Sequence, residues 1–186
     1  MNTFEILQTL CHLNARHVGV YAVDRLPMVW TRSTAIIANT DEHDRPGRHW
    51  VAFYIDEHGR GTYFDSYGTP PHADRRFFLR LRQNSTAYQW NTRMLKGMFS
   101  QTCGQYCCVF LYYLSHGYSL KQFLQFFAND FNRNDELIVR LFRKIFLHDK
   151  NKRAKQRSIY CVILNHAHVK TYNLCIYRIT VLCGLK

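Results

Sequence analysis

Gln101-Thr102-Cys103-Gly104-Gln105-Tyr106-Cys107-Cys108-Val109-Phe110-Leu111 decides the reading of this chain, because a cysteine stands where polar loop sequence gives way to an unbroken apolar run. No residue from Tyr106 to Leu114 is charged, so a helix here has to lie inside the fold. Ser100 and Thr102 are good N-cap residues, and Gly104 leaves space beside the sulfur. A cysteine in such a first turn meets unpaired backbone N–H groups and the positive end of the macrodipole. Both lower a thiol pKa and favour the thiolate. Taken alone, a Cys-rich apolar helix is equally the signature of ordinary core, and the surrounding sequence has to separate the two readings.

The chain has 186 residues, enough for one domain with a real core. Hydrophobic residues make up 47% and aromatics 15%, a folding composition. Lys and Arg number 25 against 13 acidic residues, a formal charge of +12 that suits an anionic partner such as nucleic acid without naming a function. Met1-Asn2-Thr3-Phe4-Glu5 has neither the positive start nor the apolar core of a secretory signal, and no stretch reaches the roughly 18 apolar residues of a span. The expectation is a protein that is not secreted and not in a membrane, intracellular in the nucleus or cytoplasm. Seven cysteines, an odd count with two adjacent, predict no disulfide framework. Cys103-x3-Cys107-Cys108 is not a paired zinc motif, and Cys161, His166, His168, Cys175 and Cys183 match no ligand pattern, so no metal and no required cofactor are expected.

Outward from the opening stretch, helical spacing of Phe4, Leu7, Leu10 and Cys11 predicts a helix over 3–14. Strands are expected at Val18–Ala22 and at Thr34–Asn39, the latter with the continuous apolar character of a buried strand. A polar loop over 40–48 leads to His49-Trp50-Val51-Ala52-Phe53-Tyr54-Ile55, the clearest strand. Glu57–Gly61 turns it into a partner at Thr62–Ser66. In that hairpin His49 and Asp65 lie at the same end of adjacent strands, and Asp65 is placed to accept the imidazole Nδ1 proton. A helix over 74–82, a strand at 87–91, a helix over 119–127 and a last helix capped by Asn134 and running to Phe146 complete one domain over 1–148. Residues 149–157 form a basic linker, and 158–186 a strand-prone tail.

A thiol protease needs a thiolate, an imidazole that pairs with it, a group that orients the imidazole and a donor for the oxyanion. Cys103, His49 and Asp65 supply the first three types. His49-Trp50, Phe64-Asp65-Ser66-Tyr67-Gly68 and Cys103-Gly104-Gln105-Tyr106-Cys107-Cys108, in that order, resemble the adenovirus endopeptidase (adenain) family and the proteases of Maverick/Polinton-type mobile elements. More distantly they are similar to the SUMO and ubiquitin-like protein proteases. With Val18-Gly19-Val20-Tyr21 and Ile37-Ala38-Asn39-Thr40, the likeness spans roughly Phe4 to His148.

The resemblance implies an α+β fold of the circularly permuted papain type, with a mixed central sheet against a buried helix that begins at the nucleophile. It further implies His49 as base, Asp65 as orienter and Cys103 as nucleophile. The implied substrates are proteins, either viral or element-encoded capsid precursors or the C-terminal tail of a ubiquitin-like modifier, with stimulation by DNA. One position departs from the family pattern. The family carries an oxyanion glutamine six or seven residues before the cysteine, where this chain has Gly97 and Lys96. The Cys103 N–H and the Lys96 ammonium are then the candidate oxyanion donors, with Gln101 close by in sequence. Two other functions fit the same residues: a binding module of the same fold with weak or no turnover, and an acyltransferase.

Overall fold

The computed structural model describes residues 1–147, so the expected linker at 149–157 and the tail at 158–186 lie outside the described residues. Five strands form one mixed sheet in the order β1-β2-β3-β4-β5: β1 His17–Ala22, β2 Thr34–Asn39, β3 Trp50–Ile55, β4 Arg60–Phe64 and β5 Ala87–Trp90. β1 runs parallel to β2, β2 antiparallel to β3, β3 antiparallel to β4, and β4 parallel to β5. Among the described residues there are five α-helices, α1 Thr3–Leu10, α2 Arg75–Asn84, α3 Cys103–Ser115, α4 Leu120–Leu124 and α5 Phe131–Phe142, together with short 3-10 turns at Val23–Arg25 and Pro71–Ala73 and a π-helical turn at Arg143–Leu147 that follows α5.

Alternation along β3 explains the layering. Trp50, Ala52 and Tyr54 join a core with Ile6, Leu10 and the residues of α3, while Val51, Phe53 and Ile55 join Trp30, Phe77 and Leu81 on the other face. Every residue of β2 and β3 is buried, which is why both read as continuous apolar runs instead of alternating ones. α3 supplies the centre of the first core. Tyr106 to Leu111 are all buried, and the Phe110 ring stacks on Phe64 of β4 with centroids 4.5 Å apart. The helix expected to lie inside the fold does so because the sheet covers one side and α1, α4 and α5 the rest.

The helix boundaries differ from expectation where capping chemistry intervenes. α1 is capped by Asn2, whose side chain accepts from the Glu5 N–H while Glu5 accepts from the Asn2 N–H, and it ends at Leu10 instead of reaching position 14. α5 is capped by Asp130, not Asn134. Asn134 instead lies buried inside the helix, donating to Leu95 O and Ala128 O and accepting from Ala128 N. Thr102 precedes α3 but its side chain caps nothing. Its backbone (φ −91°, ψ 6°) is not the extended conformation a cap requires, and its hydroxyl donates to Asp135 of α5 at 2.8 Å. The first turn of α3 is therefore left without a side-chain acceptor.

The Phe64–Phe110 stack joins the sheet to α3 at the centre of the core. Phe64→Ala is expected to lower unfolding stability by about 3–5 kcal/mol, read as a lower urea midpoint at unchanged slope. A loss below about 1 kcal/mol would show that α3 is anchored elsewhere.

Candidate active site

His49 immediately precedes β3 and Asp65 immediately follows β4. The two strands pair with Ala52 opposite Phe64, so continuing the register sets position 49 opposite 67 and leaves Asp65 diagonal to His49 on the same side. His49 Nε2 lies 2.7 Å from Asp65 Oδ1, with both side chains largely withdrawn from solvent. The expectation of an Nδ1 contact is thus corrected: the distal nitrogen is the one that bridges from the entrance of β3 to the exit of β4. Asp65 is itself fixed from three directions. Its Oδ1 accepts from the Tyr67 N–H at 2.8 Å, its N–H donates to Asn91 Oδ1 at 3.0 Å, and its carbonyl accepts from Asn91 Nδ2 at 2.6 Å.

Cys103 opens α3 and its thiol hydrogen-bonds with the same imidazole. With Nε2 committed to Asp65, Nδ1 is the nitrogen left for the sulfur. The backbone of Trp50 sets the depth of the helix start. Its N–H donates to the Cys103 sulfur, and its carbonyl accepts from the Cys107 thiol one turn along at 3.2 Å. The space beside Cys103 expected from Gly104 is occupied: a Cβ there would come within 3.0 Å of Met1, whose carbonyl accepts from the Trp50 indole.

Electrostatics separate the three cysteines of this helix. Burial alone would raise the Cys103 thiol, but the His49 hydrogen bond, the Trp50 N–H, and the charges of His49 and Lys96 together bring it below the ordinary value. Burial likewise opposes charge on His49, yet the hydrogen bonds to Asp65 and Cys103 raise it to about 9. Lowering the thiol and raising the imidazole both favour the thiolate–imidazolium form of the pair, and the two titrate as a unit. Burial pushes Cys107 well up and Cys108 to about 12, so both stay protonated core thiols. None of Cys11, Cys103, Cys107 and Cys108 forms a disulfide.

Lys96 differs most from its sequence-based picture. Instead of a flexible arm reaching toward an oxyanion, it is 1% exposed and donates to Tyr67 Oη at 2.8 Å, Gly97 O at 3.2 Å and Ser100 O at 2.5 Å. An ammonium has three protons, and all three have acceptors. Gln101 is exposed. The N–H groups of the uncapped first turn of α3, beginning with Cys103, are the donors the local geometry leaves available. The sequence reading also missed Tyr67 and Asn91. Strand register was the available signal for Tyr67, whose ring lies 4.8 Å from the His49 ring, whereas nothing local marks Asn91. Among the described residues no cluster of His, Cys, Asp or Glu is suited to hold a metal, and no helix is long and apolar enough to cross a membrane.

No family model matches the chain. It is 33% identical over 86 residues to a protein of Acanthamoeba polyphaga mimivirus that bears the name of a thiol protease; the match covers 41% of this chain but only 28% of that protein. Among solved structures, the Chlamydia trachomatis effector protein ChlaDUB1 overlays with a TM-score of 0.45 at 14% identity, covering 77% of this chain and 72% of that one. A protease of ASFV overlays with a TM-score of 0.39 at 24% identity, covering 59% and 44%.

Brief treatment of the folded protein with iodoacetamide is expected to modify Cys103 and the exposed Cys11, while Cys107 and Cys108 react only after denaturation. Peptide mapping by mass spectrometry checks this. Equal native reactivity of Cys107 and Cys103 would contradict the electrostatic separation of the helix thiols.

Proposed function

We propose that this chain is a thiol-dependent endopeptidase in which Cys103 is the nucleophile, His49 the base and general acid, and Asp65 the group that orients the imidazole. The single observation that carries the reading is the chain of contacts from Asp65 Oδ1 through the His49 ring to a thiol at the start of α3 whose pKa is lowered by that ring. The mimivirus likeness supports the same class of chemistry. We further assign the architecture to the circularly permuted papain type, on the strength of the motif order and of a helix that starts at Cys103.

In this reading the Cys103 thiolate attacks the scissile carbonyl carbon. The tetrahedral oxyanion forms beside the N–H groups at the start of α3. Collapse breaks the C–N bond, the leaving amine takes its proton from the His49 imidazolium, and a thioester remains on Cys103. Neutral His49 then removes a proton from water, which attacks the thioester, and the carboxylic acid departs as the thiolate and imidazolium are restored. Asp65 keeps the ring from turning and favours its charged form. Protein substrates of capsid-precursor or ubiquitin-like-modifier type fit the motif resemblance. The net charge of +12 would let nucleic acid contact the protein in a salt-sensitive, sequence-independent way, as a stimulator and not as a substrate.

A second reading, a protease-fold binding module with weak or no turnover, is favoured by one observation. Positions 96 and 97 hold no glutamine, and the Lys96 protons are all committed within the protein. Loss of one oxyanion donor costs about 10²–10³ in turnover, so this reading predicts slow chemistry on an intact constellation.

A mechanism-based thiol probe and a fluorogenic peptide library distinguish these outcomes. Labelling at Cys103 that disappears in Cys103→Ala and His49→Ala, together with a roughly 10³–10⁴-fold loss of kcat/KM in Asp65→Ala, is the expected result. The pH profile of kcat/KM should rise as the thiol ionises and fall as His49 loses its proton, near about 9. A correctly folded protein that is neither labelled nor active on any peptide would contradict the enzyme reading, whereas labelling without turnover would establish the binding module.

A further inference from the structure

Lys96 is a wholly buried cation, and among the described residues it has no carboxylate in ion-pair contact. Removing an ammonium from water without a counter-charge is costly, and folded proteins keep such a group where another charge balances it. Its immediate surroundings are neutral: Tyr67 Oη, Gly97 O and Ser100 O accept its three protons, and its Nζ stands 4.2 Å from the centre of the Tyr67 ring. Asp135 is the nearby carboxylate, but it is turned to the backbone side of the loop, accepting from Gly97 N and Thr102 Oγ1.

These contacts tie the cation to both halves of the site. The Ser100 carbonyl belongs to the loop that delivers Cys103 three residues later. Tyr67 accepts from Lys96, donates its own hydroxyl to Met98 O at 3.0 Å in the same loop, donates its N–H to Asp65, and packs its ring against His49. Lys96 and Tyr67 therefore clamp the nucleophile loop onto the pair that carries the base.

We propose that Lys96 is a positioning residue whose buried charge is balanced by the Cys103 thiolate and which, through Tyr67, holds His49 and the 97–102 loop in register. The inference rests on the Cys103–His49–Asp65 reading above and adds to it a fourth charge. The titratable and charged groups facing Cys103 are then His49 from the entrance of β3, Asp65 from the exit of β4, Cys107 from α3 itself and Lys96 from the loop before it. Lys96 is the only lysine or arginine in that set. The place where the resembling family carries a neutral amide would in this chain hold a charge that acts on the thiol from a distance and donates nothing to substrate.

The test is the pH dependence of Cys103 alkylation by iodoacetamide, followed by peptide mass spectrometry, which needs no substrate. It compares wild type, Lys96→Met, Lys96→Arg, Tyr67→Phe and His49→Ala, each checked for folding by circular dichroism. Lys96→Met is expected to move the profile to higher pH and to slow alkylation at its acid end about tenfold. Lys96→Arg, which keeps the charge, should stay close to wild type, and Tyr67→Phe, which keeps the ring but loses both hydroxyl bonds, should fall between. If Lys96→Met does not fold, a Lys96→Arg profile shifted no less than that of Tyr67→Phe overturns the charge argument. A folded Lys96→Met with the wild-type profile overturns it directly, while His49→Ala still displaces that profile if the thiol–imidazole reading is sound. If His49→Ala also leaves the profile unchanged, the underlying reading fails instead.

Discussion

Beyond Cys103, α3 has no ionised side chain and its body has to be covered by other elements, and the site follows from how that burial is achieved. Phe110 stacks on Phe64 of β4, Cys107 donates to the Trp50 carbonyl of β3, and Cys108 accepts from the Thr9 hydroxyl of α1. Each contact draws one stretch of the helix against a different element. With the body of the helix fixed in this way, its first residue can only emerge where β3 begins and β4 ends. That is where the chain has His49 and Asp65. The apolar helix is thus the device that brings Cys103 to His49, and the two cysteines after Cys103 serve that burial as protonated core thiols.

The backbone of Trp50 joins structure to reactivity. Its carbonyl closes a core contact with the Cys107 thiol, and its N–H, in the preceding peptide group, faces the Cys103 sulfur. Tyr67 has the corresponding role on the polar side, where its amide, ring and hydroxyl each engage a different part of the site. The uncapped start of α3 completes the environment. Because Thr102 gives its hydroxyl to Asp135 instead of to the helix, the first-turn N–H groups retain the capacity to face developing negative charge.

The sequence made the strands and the buried helix legible because their signals are local and strong. Six consecutive apolar residues from Trp50 to Ile55, and nine uncharged ones from Tyr106 to Leu114, admit few alternatives. The pairing of His49 with Asp65 was also accessible, since a short hairpin fixes which residues share an end. What escaped was set by contacts remote in sequence. Asn91 grips the Asp65 backbone from 26 positions away, and Asp135 takes a hydroxyl that local rules assign to capping. In the sequence Lys96 reads as a candidate oxyanion donor because its burial is not a local property. The carbonyls and phenol that hold it come together only when the 97–102 loop folds over Tyr67. Which imidazole nitrogen meets which partner likewise depends on the distance between strand ends, a quantity that composition and spacing do not encode.

The central claim is that His49 carries a proton at neutral pH because it stands between the Asp65 carboxylate and the Cys103 thiolate. Nitrogen-15 NMR titration of the His49 ring measures this directly. The account predicts a midpoint near about 9 in the wild type, falling toward the ordinary imidazole range in Cys103→Ala and in Asp65→Asn. A wild-type midpoint already in that ordinary range, unmoved by either substitution, would contradict it.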